Sequence, residues 1–119
     1  DKLFHTHLNG GSGFKFDEDR TFGDIDFSVA VETMAVLLEH NRNPSGRLVY
    51  NGLLGLDVQP LATDTNSQQA ASIERGIRNL KRSLICAERL DWPALNQARA
   101  QNDQAAVSDL FARAVCGLA

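Results

Sequence analysis

Hydrophobic and polar positions first alternate with a period of two. Between Leu3 and Leu8, an extended segment would carry Leu3, His5 and His7 on one face and Phe4, Thr6 and Leu8 on the other, which predicts a short strand. Gly10, Gly11 and Gly13 then break regular structure. Lys15 to Asp19 is expected to be a short extended piece or an ordered loop. After Asp26, whose carboxylate can cap free backbone N–H groups, the spacing becomes helical. Phe27, Ala30, Val31, Met34 and Leu38 form one apolar stripe, and His40 falls at the helix end, where a partly positive imidazole suits the dipole. Asn41 to Gly46, with Pro44, reads as a turn-rich connector, and Leu48 to Tyr50 as a small extension.

The run Leu53 to Val58, LLGLDV, is nearly all apolar around one charge, Asp57. Such a run suits a strand buried on both faces, as in parallel sheets covered by helices. Asn66 or Ser67 is expected to cap a long helix whose buried stripe is Ala70, Ile73, Ile77, Leu80, Leu84 and Ala87. Pro93 disfavours helical geometry at Trp92 and marks a stop. Short helices follow, the last carrying Leu110, Phe111, Ala114, Val115 and Leu118.

The predicted order is strand, loop, helix, strand, helix, helical tail, which implies an α/β fold with parallel strands and right-handed crossovers. The 119 residues are about one domain's worth. Two strands do not close a barrel, and a two-stranded sheet does not stand comfortably alone. The apolar strand and stripes are therefore expected to need partners outside this chain. That points to a fragment or an obligate subunit. The opening Asp1 adds the expectation of a missing or processed start.

A net charge of −3 gives no footprint for nucleic acid or an anionic membrane. The basic cluster Arg75, Arg78, Lys81, Arg82 and Arg89 reads as a solvated helix face or a subunit contact. No apolar run approaches the ~20 residues needed to span a bilayer, and no signal-peptide pattern is present. Cys86 and Cys116 sit within helical patterns and read as reduced core residues. A cytoplasmic protein is expected.

Candidate chemistry gathers near the start. Asp17 and Asp19 flank Glu18, so an extended backbone would point both carboxylates the same way. They either share a divalent cation or form a solvated acidic loop. Asp57 is sharper: a carboxylate within an apolar strand is costly to bury unless it is paired or bound to metal. His7 could offer a neutral imidazole to the same ion, or be a hydrogen-bonded core residue.

At this point the residues resemble a family. KLFHTHLNGGSGFKFDEDRTFGDID is similar to the seventh strand and following loop of xylose isomerase and related TIM-barrel sugar isomerases. YNGLLGLDVQP resembles the eighth strand, and ERGIRNLKRSLICAER the helix after it. The likeness covers about residues 2 to 90. It implies the C-terminal part of a (β/α)8 barrel, incomplete as an isolated chain. Residues 1–92 would be the last two β/α units and 93–119 a helical tail. It further implies an aldose–ketose isomerase with two divalent ions per barrel, manganese, cobalt or magnesium.

Carried over by position, Asp17 and Asp19 would hold the catalytic metal and relay a hydroxyl proton, and Asp57 and His7 would hold the other ion. His5 and Lys15 would contact the monosaccharide. His7 stands where xylose isomerase has an aspartate, although rhamnose isomerase uses a histidine at a comparable strand. That exchange favours manganese, cobalt or zinc over magnesium. Gln59 replaces a family lysine. Two glutamates and another histidine would have to come from the remaining N-terminal barrel polypeptide, in a dimer or tetramer. The alternative is a degenerate, non-catalytic subunit that binds without isomerising.

Overall fold

The computed structural model describes residues 5–13, 18–41 and 53–117, with the backbone alone at 40 and 41. Strand β1 (His5–Leu8) is followed by helix α1 (Phe27–Asn41). Strand β2 (Leu53–Leu56) and helices α2 (Asn66–Glu88), α3 (Trp92–Ala100) and α4 (Gln104–Cys116) follow. The strands are parallel, with His5 beside Leu53, Thr6 beside Leu54, His7 beside Gly55 and Leu8 beside Leu56. The ladder continues past β2, where the Asp57 N–H donates to the Leu8 carbonyl at 3.0 Å.

Strand alternation sorts the side chains into two sets. Thr6, Leu8, Leu54 and Leu56 point to the helices. Leu8 is buried in the core, and Leu56 packs at its edge. Gly76 of α2 allows that approach, because a Cβ there would lie 3.1 Å from Cδ1 of Leu56. His5, His7, Leu53 and Gly55 point the other way. Among the described residues no helix covers that face at His5, His7 and Leu53, which are exposed.

Asp26 caps α1 as expected: its Oδ1 accepts the N–H groups of Ser28 at 3.1 Å and Val29 at 3.3 Å. The expected stripe faces inward, with Ala30, Val31, Met34 and Ala35 buried. In α2 the cap is Thr65, ahead of both predicted positions, Asn66 and Ser67. Thr65 Oγ1 accepts from the Gln68 N–H while the Gln68 side chain accepts from the Thr65 N–H, a reciprocal box that Asn66 and Ser67 are placed too late to form.

The apolar stripe of α2 packs inward only in its second half, where Ala87 is buried and Leu80 and Leu84 lie against the core. Gly76, Asn79, Ser83, Cys86 and Ala87 are buried, while Ala70, Ile73 and Ile77 are exposed. Close packing against α1 and β2 selects small residues there, and Asn79 is admitted because its amide is hydrogen-bonded. Pro93 opens a helix instead of stopping one. It is the second residue of α3, behind the Asp91 cap, where a missing N–H leaves no bond unmade.

Trp92, Leu95, Phe111 and Ala114 from α3 and α4 join α1 and α2 in one core. Arg99 pairs with Glu39, its Nη1 3.1 Å from each carboxylate oxygen, and so ties α3 to α1. The described residues thus form a helix-rich unit, four helices with a two-stranded parallel sheet.

That finding corrects the expected fold, since the chain is not the last two β/α units of a (β/α)8 barrel. A barrel strand is sheathed on both faces, whereas Leu53 is 75% exposed and Leu54 40%. Two four-residue strands supply little sheet to bury, and helix packed on helix makes most of the core instead. No helix among the described residues is long and apolar enough to cross a membrane.

Candidate functional site

The open face of the sheet brings two of the sequence-selected residues together. His7 Nδ1 lies 3.6 Å from Asp57 Oδ2, and the two side chains are 59% and 50% exposed. The gap exceeds hydrogen-bond length. It is close to the roughly 3.4 Å that two donors adopt when each is ~2.0–2.1 Å from one tetrahedral cation. His5 adjoins the pair: its ring meets the ring of His7 edge to face, with centroids 4.4 Å apart and planes at 86°.

Asp57 is not the buried carboxylate that its apolar neighbours predict. It follows the last residue of β2 on the open face and keeps half its contact with water. Its charge therefore makes no burial demand for a partner.

Asp19 is placed by a different mechanism. Its φ of 45° is left-handed, so the extended backbone that would align it with Asp17 is absent at this residue. Asn9 Nδ2 donates to Asp19 Oδ1 at 2.7 Å, and the Asp19 carbonyl accepts the Gln59 N–H at 2.9 Å. Asp19 thus clasps the loop after β1 to the loop after β2. A backbone bridge beside it pairs Gly10 with Arg20 through N–H···O bonds of 2.8 and 2.9 Å. Asp17 and Lys15 lie outside the described residues.

Glu18, between the two aspartates, is committed locally. The Ser12 hydroxyl donates to both its oxygens at 2.8 Å, and the Ser12 N–H donates to Oε2. These bonds, the hydroxyl's first, hold its carboxyl below the usual glutamate range. Among the described residues, no group of three or more His, Cys, Asp or Glu side chains could hold a metal ion. His7 and Asp57 are therefore two donors of suitable chemistry that need further ligands.

A groove of about 470 Å³ opens beside this pair, not over it. Val58 and Gln59 line it together with Arg20, Asp24, Leu61 and Arg75. Arg75 is occupied there, its Nε 2.6 Å from Asp24 Oδ2.

Sequence reasoning overlooked Asn9 and Gly55. Nothing in a local pattern flags Asn9, whose partner lies ten positions on. Gly55 did carry a signal, since a glycine inside an apolar strand run often marks close approach by another group. No protein-family model matches the chain, and no solved structure matches it.

Proposed function

We propose that this chain carries part of a divalent-cation site of a metal-dependent aldose–ketose isomerase acting on a monosaccharide. The observation that supports the reading is the spacing of His7 Nδ1 and Asp57 Oδ2, 3.6 Å apart on an open sheet face. The resemblance of residues 2–90 to xylose isomerase and its relatives points the same way. His7 would contribute a neutral imidazole nitrogen and Asp57 a carboxylate oxygen. The cation, manganese, cobalt or magnesium, would act as a Lewis acid toward the sugar's carbonyl oxygen.

Asp19, oriented by Asn9, is the described acid that would exchange a proton with a sugar hydroxyl, with Asp17 beside it in sequence. His5 and Lys15 would contact the sugar. The remaining ligands would come from other polypeptide, in a cytoplasmic homo-oligomer. A second reading is a non-catalytic relative that binds without isomerising, and the departures from the family pattern at His7 and Gln59 favour it.

Calorimetric titration of the full chain with Mn²⁺ or Co²⁺ tests the site. Binding should weaken about tenfold or more in His7→Ala and in Asp57→Asn. Unchanged affinity in both variants removes the proposal. Incubating the metal-loaded protein with an aldose panel and assaying ketose then separates the readings, because binding without ketose leaves the second.

A further inference from the structure

We infer that Gly55 is a positioning residue, whose missing side chain seats the imidazoles of His5 and His7 across β2 and so sets His7 against Asp57. The inference rests on the reading that His7 and Asp57 act together. In the strand register His7 is directly beside Gly55, whereas His5 is beside Leu53. The His5 ring nevertheless leans forward along the strand. A Cβ on residue 55 would lie 2.9 Å from His5 Nε2, 3.6 Å from His5 Cε1 and 3.2 Å from His7 Cδ2. The first distance is well inside the ~3.5–4.0 Å contact optimum for nonbonded heavy atoms. Both rings occupy space that any other residue would fill.

The edge-to-face contact between the rings depends on that space. With the notch filled, His5 must lift away from β2, and His7 loses the edge that packs against its ring. The atom struck most closely is the far end of an exposed side chain, which can swing on its own torsions. The strand backbone is not struck. Glycine is also a poor strand former, so alanine does not cost the strand its pairing. A substitution at Gly55 is thus expected to disturb ring placement while leaving the fold in place, the opposite of a packing role.

The experiment compares the full chain with its Gly55→Ala variant by NMR, thermal melting and Co²⁺ titration. The wild-type protein should show a nuclear Overhauser contact between the His5 and His7 ring protons. Gly55→Ala should lose that contact and shift the His7 ring resonances, with a melting midpoint at or above that of the wild type. Its Co²⁺ affinity should fall about 10- to 100-fold, as for other groups that orient a ligand. In a His5→Ala background, adding Gly55→Ala leaves only the direct contact with His7 Cδ2, so the His7 resonances should move less than they do when the His5 ring is present.

Retention of the ring contact and the His7 resonances in Gly55→Ala would falsify the inference. If the wild type binds no Co²⁺ but the ring contact still disappears in Gly55→Ala, the cation reading falls and the positioning role stands.

Discussion

The side-chain amide of Asn79 donates to the backbone carbonyl of Phe22 across 2.9 Å, joining the middle of α2 to the loop that precedes α1. The same nitrogen reaches Asp24 Oδ1 at 3.0 Å, and Arg75, one turn earlier on α2, holds the other Asp24 oxygen. Asn79 is buried, so little water can replace it. Asn79→Leu keeps the branched shape and removes the donor, leaving the Phe22 carbonyl unpaired. We expect a loss of about 1–3 kcal/mol, read from the urea midpoint at constant slope. A loss below about 0.5 kcal/mol would mean that the loop re-forms without the bond.

The extent to which this fold was legible depended on how local each determinant is. Asp26 and the α1 stripe were readable because a cap and a 3.6-residue period are settled within a few positions. The buried face of α2 was not, since its selection of Gly76 and Asn79 comes from β2 and from the loop at Phe22. Pro93 misled because the same ring that ends one helix also starts another when an acidic cap stands two positions earlier. The likeness to barrel strands rested on short motifs, and exposure at Leu53 and Leu54 is a property of what surrounds a strand, not of its own residues. At the site, the His7–Asp57 pairing followed from two strand ends lying in parallel register, while the left-handed turn at Asp19 had no signal in a bare DxD pattern.

Thr65, not Asn66, should carry the N-terminal stability of α2. Thr65→Ala removes the acceptor for the Gln68 N–H and opens the reciprocal box, at an expected cost of about 1 kcal/mol. Asn66 is exposed and opens the helix without capping it. Asn66→Ala should therefore fall within about 0.5 kcal/mol of wild type. Chemical denaturation of the two variants side by side distinguishes the assignments, and a larger loss in Asn66→Ala would reverse them.

Asp26 should give the protein a specific acid sensitivity. The Ser28 hydroxyl donates to Asp26 Oδ1 at 2.6 Å, and the N–H groups of Val29 and Ser28 add to it. These bonds favour the charged form and hold the carboxyl below the usual aspartate range. A group with a lowered folded-state value binds its proton more readily when unfolded. Its contribution is therefore complete above the unfolded value of about 3.9 and is lost as pH falls through the folded value. The stability gap between wild type and Asp26→Ala should be widest near neutrality and should narrow below about pH 4. Asp26→Asn, which can still accept from the helix, should flatten this component. A gap that widens on acidification would show that another group controls it.

The two cysteines should react at very different rates. Cys86 is 7% exposed and belongs to the core that α1, α2 and α4 share, whereas Cys116 stands exposed in the last turn of α4. A thiol reagent can reach Cys116 directly, but it can reach Cys86 only when the helices separate. In native buffer a thiol-disulfide dye should therefore label a single site quickly, and Cys116→Ser should abolish that fast phase. The slow phase should accelerate in urea, because labelling of a buried thiol follows the population of the opened state. Two fast phases of equal amplitude in native buffer would place Cys86 at the surface. They would contradict the packing of α2 against α1 on which the seating of β2, and with it the His7–Asp57 pair, depends.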